Sequence, residues 1–145
     1  MARKSLLLAS IVAAVACAAV PGAALASQGS GTFTETSSTV VSANEIGNVT
    51  YLVLDNVVDW VGPLSGEARE TLWITVKPTG DSAFHGVDIF PNMTLRFAGV
   101  DSGGAFQGRW TAVGANGFSG HGFFSGFDDC GGGLPCGTYT GGFLG

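Results

Sequence analysis

The chain has 145 residues, a net charge of −5 and 10% aromatic side chains. That aromatic content argues against a disordered chain despite 24 glycines, and the length suits one domain with a real core. Beyond the adjacent Arg3 and Lys4, its four cations are scattered singly, which excludes the basic patch that nucleic acid or an anionic membrane face requires.

The first 26 residues have the pattern of an export signal. Arg3 and Lys4 give a positive start, and Leu6 to Val20 is an apolar run. Pro21-Gly22 breaks that run, and Ala24-Leu25-Ala26 supplies the small-x-small site, so cleavage is expected after Ala26. The run is shorter than the roughly 20 residues that span a bilayer. A lipid anchor on Cys17 is the alternative, but Ala14-Val15-Ala16 is a poor lipobox. The expectation is a protein secreted to the extracellular space or cell envelope, without stable membrane insertion once the signal is gone. Residues 27–145 then form one domain with 4 basic and 11 acidic side chains, net −7.

That domain holds no amphipathic helical pattern. It reads as eight short β-rich runs divided by Gly, Pro, Asn and Asp. The first is Gly31 to Thr39, where Thr alternates with Phe33 and Glu35. No signature fits Ser38 to Asn48, which reads as a connection. The second run is Val49 to Val61 and the third Glu67 to Lys77, parted by Gly62-Pro63. Pro78-Thr79-Gly80-Asp81 turns the chain into Ser82 to Phe90. Pro91-Asn92 leads to Met93 to Val100, and Asp101 to Gly104 leads to Ala105 to Val113. Gly114 to Gly117 leads to Phe118 to Phe127. A cysteine loop then precedes the last run, Gly137 to Phe143. Short turns imply antiparallel neighbours.

Eight such runs fit an eight-stranded antiparallel up-and-down β-barrel or a two-sheet β-sandwich. Phe118, Gly120, Gly122, Phe124 and Gly126 share one strand face. Glycine inside a strand marks a bend or a close backbone approach, and a small closed barrel demands strong curvature. The barrel is therefore the expected fold. Cys130 and Cys136, separated by Gly-Gly-Gly-Leu-Pro, are expected to pair in an oxidising compartment and fix that loop. A metal site there would need His121 or Asp128-Asp129 as further ligands, and no metal is expected.

A family pattern runs through these segments. Gly31-Thr-Phe33 is followed by Gly62-Pro-Leu-Ser-Gly66-Glu67-Ala68 and a Lys-Pro-x-Gly-Asp turn. Ala83-Phe84-His85-Gly86-Val87, Gly103-Gly-Ala-Phe106-Gln-Gly108-Arg-Trp110 and Gly117-Phe-Ser-Gly120-His-Gly122-x-Phe124 complete the series. The order resembles a bacterial secreted family of unknown function with an allene-oxide-cyclase-like β-barrel fold. The resemblance covers roughly residues 31–143 and implies a barrel with a cavity. Plant allene oxide cyclases and dirigent proteins share that barrel, but none of their catalytic residues matches a position here, so no activity is carried over.

The third run has an apolar register of Ala68, Glu70, Leu72, Ile74 and Val76. Glu70 is the acid among hydrophobes. Either it sits at the rim in water, or burial raises its pKa and makes it a proton donor or acceptor. His85 is the second candidate, on a strand whose faces are both mixed; His121 is a third. Counting from the Thr79-Gly80 turn sets residue 74 opposite His85 and Glu70 opposite Ile89, which forbids a Glu70–His85 dyad. Arg96 and Arg109 read as solvated outer residues, and Trp60, Trp73 and Trp110 as core or girdle. No nucleophile elbow, zinc helix, Walker loop or calcium loop is present, and no cofactor is called for.

Three functions remain. The first is a binding barrel for a small apolar ligand. The second is a surface or assembly protein that forms homo-oligomers. The third is a cyclase- or isomerase-like enzyme that uses Glu70, then His85.

Overall fold

A computed structural model describes residues 26–145, and the expected leader, Cys17 included, lies outside the described residues apart from Ala26. Eight strands follow in order: β1 (Ser27–Ile46), β2 (Val49–Val61), β3 (Gly66–Val76), β4 (Ser82–Ile89), β5 (Met93–Ser102), β6 (Ala105–Gly114), β7 (Ser119–Phe127) and β8 (Cys136–Leu144). Each pairs antiparallel with the next, and β8 closes onto β1. The protein is an all-β, eight-stranded up-and-down closed barrel. The two-layer alternative is excluded.

Ser38 to Ile46 is strand where a connection is expected over Ser38 to Asn48. β1 continues to Ile46 and turns only at Gly47-Asn48, where Gly47 has φ +62°. The ladder with β2 shifts register between Glu35 and Ser37 and again between Val40 and Ser42. Each shift inserts one residue, Thr36 and Val41, and breaks the two-residue alternation that announces a strand. Beyond Glu35, whose N–H donates to the Pro135 carbonyl at 2.9 Å, β1 ladders with β2 alone among the described residues. Those bulges blunt an edge that would otherwise offer itself to another strand.

Glycine and phenylalanine together explain how so small a barrel closes. Six glycines lie directly across a strand pair from an inward aromatic ring: Gly137 from Phe33, Gly99 from Phe84, Gly86 from Phe97, Gly126 from Phe106, Gly108 from Phe124 and Gly120 from Phe143. A methyl group on any of them would meet that ring. Each ring therefore reaches over its neighbour's bare backbone, which lets strands bend inward and aromatics fill the lumen. Phe33, Phe84, Phe97, Phe106 and Phe124 form one cluster, with ring centroids 5.9–6.2 Å apart in tilted and edge-on pairs, the geometry that the ring quadrupole favours.

One end of the barrel is sealed. Between β2 and β3, Gly62 (φ +119°) and Gly66 (φ +114°) take left-handed backbone and swing Leu64 inside, where it is buried against the core. The Tyr139 hydroxyl accepts from the Leu64 N–H at 2.9 Å and donates to the Leu64 carbonyl at 2.9 Å. This satisfies the plug's backbone, which burial would otherwise leave unpaired. Leu64 joins Trp110, Leu95, Ala112 and Phe143 in one buried core cluster.

Candidate functional site

The other end holds a cavity of about 280 Å³. It runs from Trp60 and Val58 past the Phe cluster to Leu54, Ile74, Ser82 and Asp101 at the strand ends, with Pro135 of the β7–β8 loop beside them. The Cys130–Cys136 disulfide, with a Cα–Cα distance of 5.8 Å, pins that loop. Asp129 Oδ1 accepts from the Gly131 and Gly133 N–H groups at 2.9 and 3.0 Å and holds it further.

One wall of the lumen is polar. Alternation on β3 carries Glu70 inward with Ala68 and Leu72, as the register predicts, and Glu70 is buried, at 9% exposure. The rim placement is excluded. On β4 the inward register is Phe84, Gly86, Asp88 and Phe90, so His85 faces outward and is exposed. It stacks on Trp73 at 5.1 Å, with the ring planes 10° apart. His121 is likewise exposed on the outer wall.

The expected pairing of β3 with β4 was off by one residue. Glu70 faces Asp88, not Ile89, and Trp73 faces His85. The cause is the turn. Lys77 N–H donates to the Asp81 carbonyl at 2.8 Å and Gly80 N–H to the Lys77 carbonyl at 2.9 Å. These bonds close a three-residue loop, Pro78 to Gly80, with Gly80 at φ +89°. That is a hairpin turn with a glycine bulge, where a two-residue loop had been counted. The shift brings two carboxyls together.

Around them a hydrogen-bond chain crosses four strands. Ser38, turned inward after the first bulge, donates to Asn56 Oδ1 at 2.7 Å. Asn56 donates to Glu70 Oε1 at 2.7 Å, and Trp60 Nε1 donates to Asp88 Oδ2 at 2.8 Å. Glu70 and Asp88 face each other across the strand pair, placed to share a proton, while Asp88 Oδ1, fully buried, finds no donor if both carboxyls are ionised. A proton on Glu70 resolves this, because it turns the acid into the missing donor. Burial, the Asp88 charge and the bond to Asp88 together push Glu70 well above the usual carboxylate range, against the Asn56 bond. Burial also lifts Asp88, to about 6, against the hydrogen bonds from Glu70 and Trp60.

Glu35 on β1 completes the cluster. It is 7% exposed, lines the cavity, and is raised by burial and the nearby Glu70 to about 7. Nothing in the sequence marked it or Asp88, because each sits among threonines or on a mixed strand. At the mouth, Asp128 is raised to about 6 by burial and by a hydrogen bond with Asp101, whose Oδ2 has no other partner. This pair too is positioned to share a proton.

Among the described residues no trio of His, Cys, Asp or Glu side chains has metal-binding geometry. Arg96 and Arg109 are exposed, and Arg109 lies 5.4 Å over the Phe123 ring. No protein-family model matches the chain, and no curated protein matches it. The arrangement can enclose a small apolar body against aromatic rings and offer it the carboxyls of Glu35 and Glu70.

Proposed function

We propose that the lumen is a binding site for a small apolar molecule, entered through the mouth near Pro135 and acting outside the cytoplasm. The observation that carries this is a half-filled barrel, sealed by Leu64 at one end, with a cavity of about 280 Å³ lined by five phenylalanines at the other. Ligand sites are concave and mainly apolar, with a few placed polar groups. The Cys130–Cys136 disulfide supports the export reading. An interior filled by a Phe cluster is also unlike the polar lumen of a membrane pore. The Gly-rich resemblance to allene-oxide-cyclase-like barrels agrees with this reading at the level of fold alone.

The neutral dye N-phenyl-1-naphthylamine tests it. Its fluorescence should rise on mixing with the protein. Leu72→Trp, which pushes an indole into the cavity, should weaken binding at least about tenfold while the barrel still melts cooperatively. No binding by the parent protein, or equal binding by a folded Leu72→Trp variant, contradicts the proposal.

Two other readings have some support. Phe123 and Phe127 are 60% and 62% exposed on the outer face of β7, which favours homo-oligomers packed through barrel walls, testable by sedimentation at several concentrations. The buried Glu70 beside Asp88 favours cyclase- or isomerase-like proton transfer, with Glu70 as donor. His85, outside the lumen, drops out of that reading.

A further inference from the structure

The carboxyls of the lumen have no counter-charge. Arg69, Lys77, Arg96 and Arg109, the four cations of the described residues, are all exposed. Glu70 has Asn56, and Asp88 has Trp60. Glu35 has only the Ser38 hydroxyl beside it, and that hydroxyl gives its proton to Asn56. A buried acid thus faces the cavity with one hydroxyl for a partner, shared with Asn56. The groups that surround it are Glu70 from β3, Asp88 from β4, and Asn56 and Trp60 from β2. The mouth above carries two more acids, Asp101 and Asp128.

A ligand with a carboxylate or phosphate head would enter past one acid pair and come to rest against Glu35 and Glu70, with Asp88 buried beside Glu70, so anionic lipids are disfavoured. A wholly apolar ligand would bring Glu35 no donor beyond the shared Ser38 hydroxyl. An ammonium group has three donors and a charge. It would form charge-assisted bonds with Glu35 and lie near ring faces that attract cations, and the acidic mouth would steer it inward.

We propose that the lumen's ligand is a small hydrophobic amine bound as its cation, with the ammonium against Glu35 and the apolar body among Phe84, Phe106 and Phe124. This rests on the lumen being a ligand site. A cation beside Glu35 favours its ionised form, so binding expels the proton that the free protein holds there below its pKa of about 7.

The test is displacement of N-phenyl-1-naphthylamine by three matched probes, 4-phenylbutylamine, 4-phenylbutanol and 4-phenylbutyrate, at pH 7.5. The amine should compete at least about tenfold better than the alcohol, and the carboxylate should compete worst. Calorimetry at pH 6.5 in buffers of different ionisation enthalpy should show release of about half a proton or more per amine bound. Glu35→Gln should erase the amine's advantage over the alcohol and the proton release; Glu67→Gln, exposed on β3, should leave both unchanged. An alcohol that equals or beats the amine, or amine binding without proton release, overturns the inference and leaves the lumen reading intact. Failure of the dye to bind the parent protein overturns both.

Discussion

At the scale of single residues, the interior acids decide how this protein responds to pH. Glu35 rises from an ordinary 4.5 to about 7 and Asp88 from 3.8 to about 6, both chiefly through burial. Between those values the folded protein holds protons that the unfolded chain releases. Stability is therefore greatest below about pH 4 and is lost as pH climbs toward 7, with a slope of at most about 1.4 kcal/mol per pH unit for each proton retained. We expect the melting temperature to fall steadily from pH 4.5 to 7.5, and Glu35→Gln to flatten the upper part of that fall. Thermal melts of both proteins across this range check it; a flat or rising profile for the parent contradicts the acid cluster. Glu70 was legible in the sequence because it interrupts an apolar register. Asp88 was not, since it sits on a strand whose two faces read alike, and a one-residue error in the turn hid its contact with Glu70. Glu35 shares the face of Phe33 in the first run, but with threonines on either side that run shows no apolar register to mark the face as interior.

At the scale of strands, glycine placement sets the curvature. Seven of the eight runs, their antiparallel order and the inward face of β7 were readable from alternation and turn residues. The long first hairpin was not, because its two bulges scramble the period and its Ser/Thr-rich composition mimics a loop. The Phe-over-Gly pairing was also invisible before register was known, since it joins residues far apart in sequence. It makes a sharp prediction. Gly126→Ala would drive a methyl into the Cys136 carbonyl and the Phe106 ring, and should destabilise the barrel by about 1–3 kcal/mol or more. Gly142→Ala is the contrast. It lies on the neighbouring strand with ordinary backbone, and its nearest neighbour is the flexible Gln28 side chain at 3.2 Å; it should cost well under about 1 kcal/mol. Urea unfolding of the two variants separates them, and equal losses would contradict the closure argument.

For the whole molecule, one end is a plug and the other a mouth, and the disulfide belongs to the mouth. Cys130–Cys136 closes a short loop, so its loss should cost roughly 2 kcal/mol, read as a melting temperature lower by about 5–10 °C in the Cys130→Ser/Cys136→Ser variant. Hydrogen exchange should rise in residues 128–136 and leave the Leu64 plug unchanged; loosening at the plug instead would contradict the division into two ends. The Cys pair was legible because its spacing and the leader pattern point the same way, whereas the plug was not, since Leu64 reads as one apolar residue in a Gly-Pro loop. Whether the lumen is truly open is best decided by diffraction from a xenon-pressurised crystal. The account predicts an anomalous peak inside the barrel between the Phe33, Phe84 and Phe124 rings. A lumen packed solid with side chains, with xenon found only on the outer wall, would contradict it.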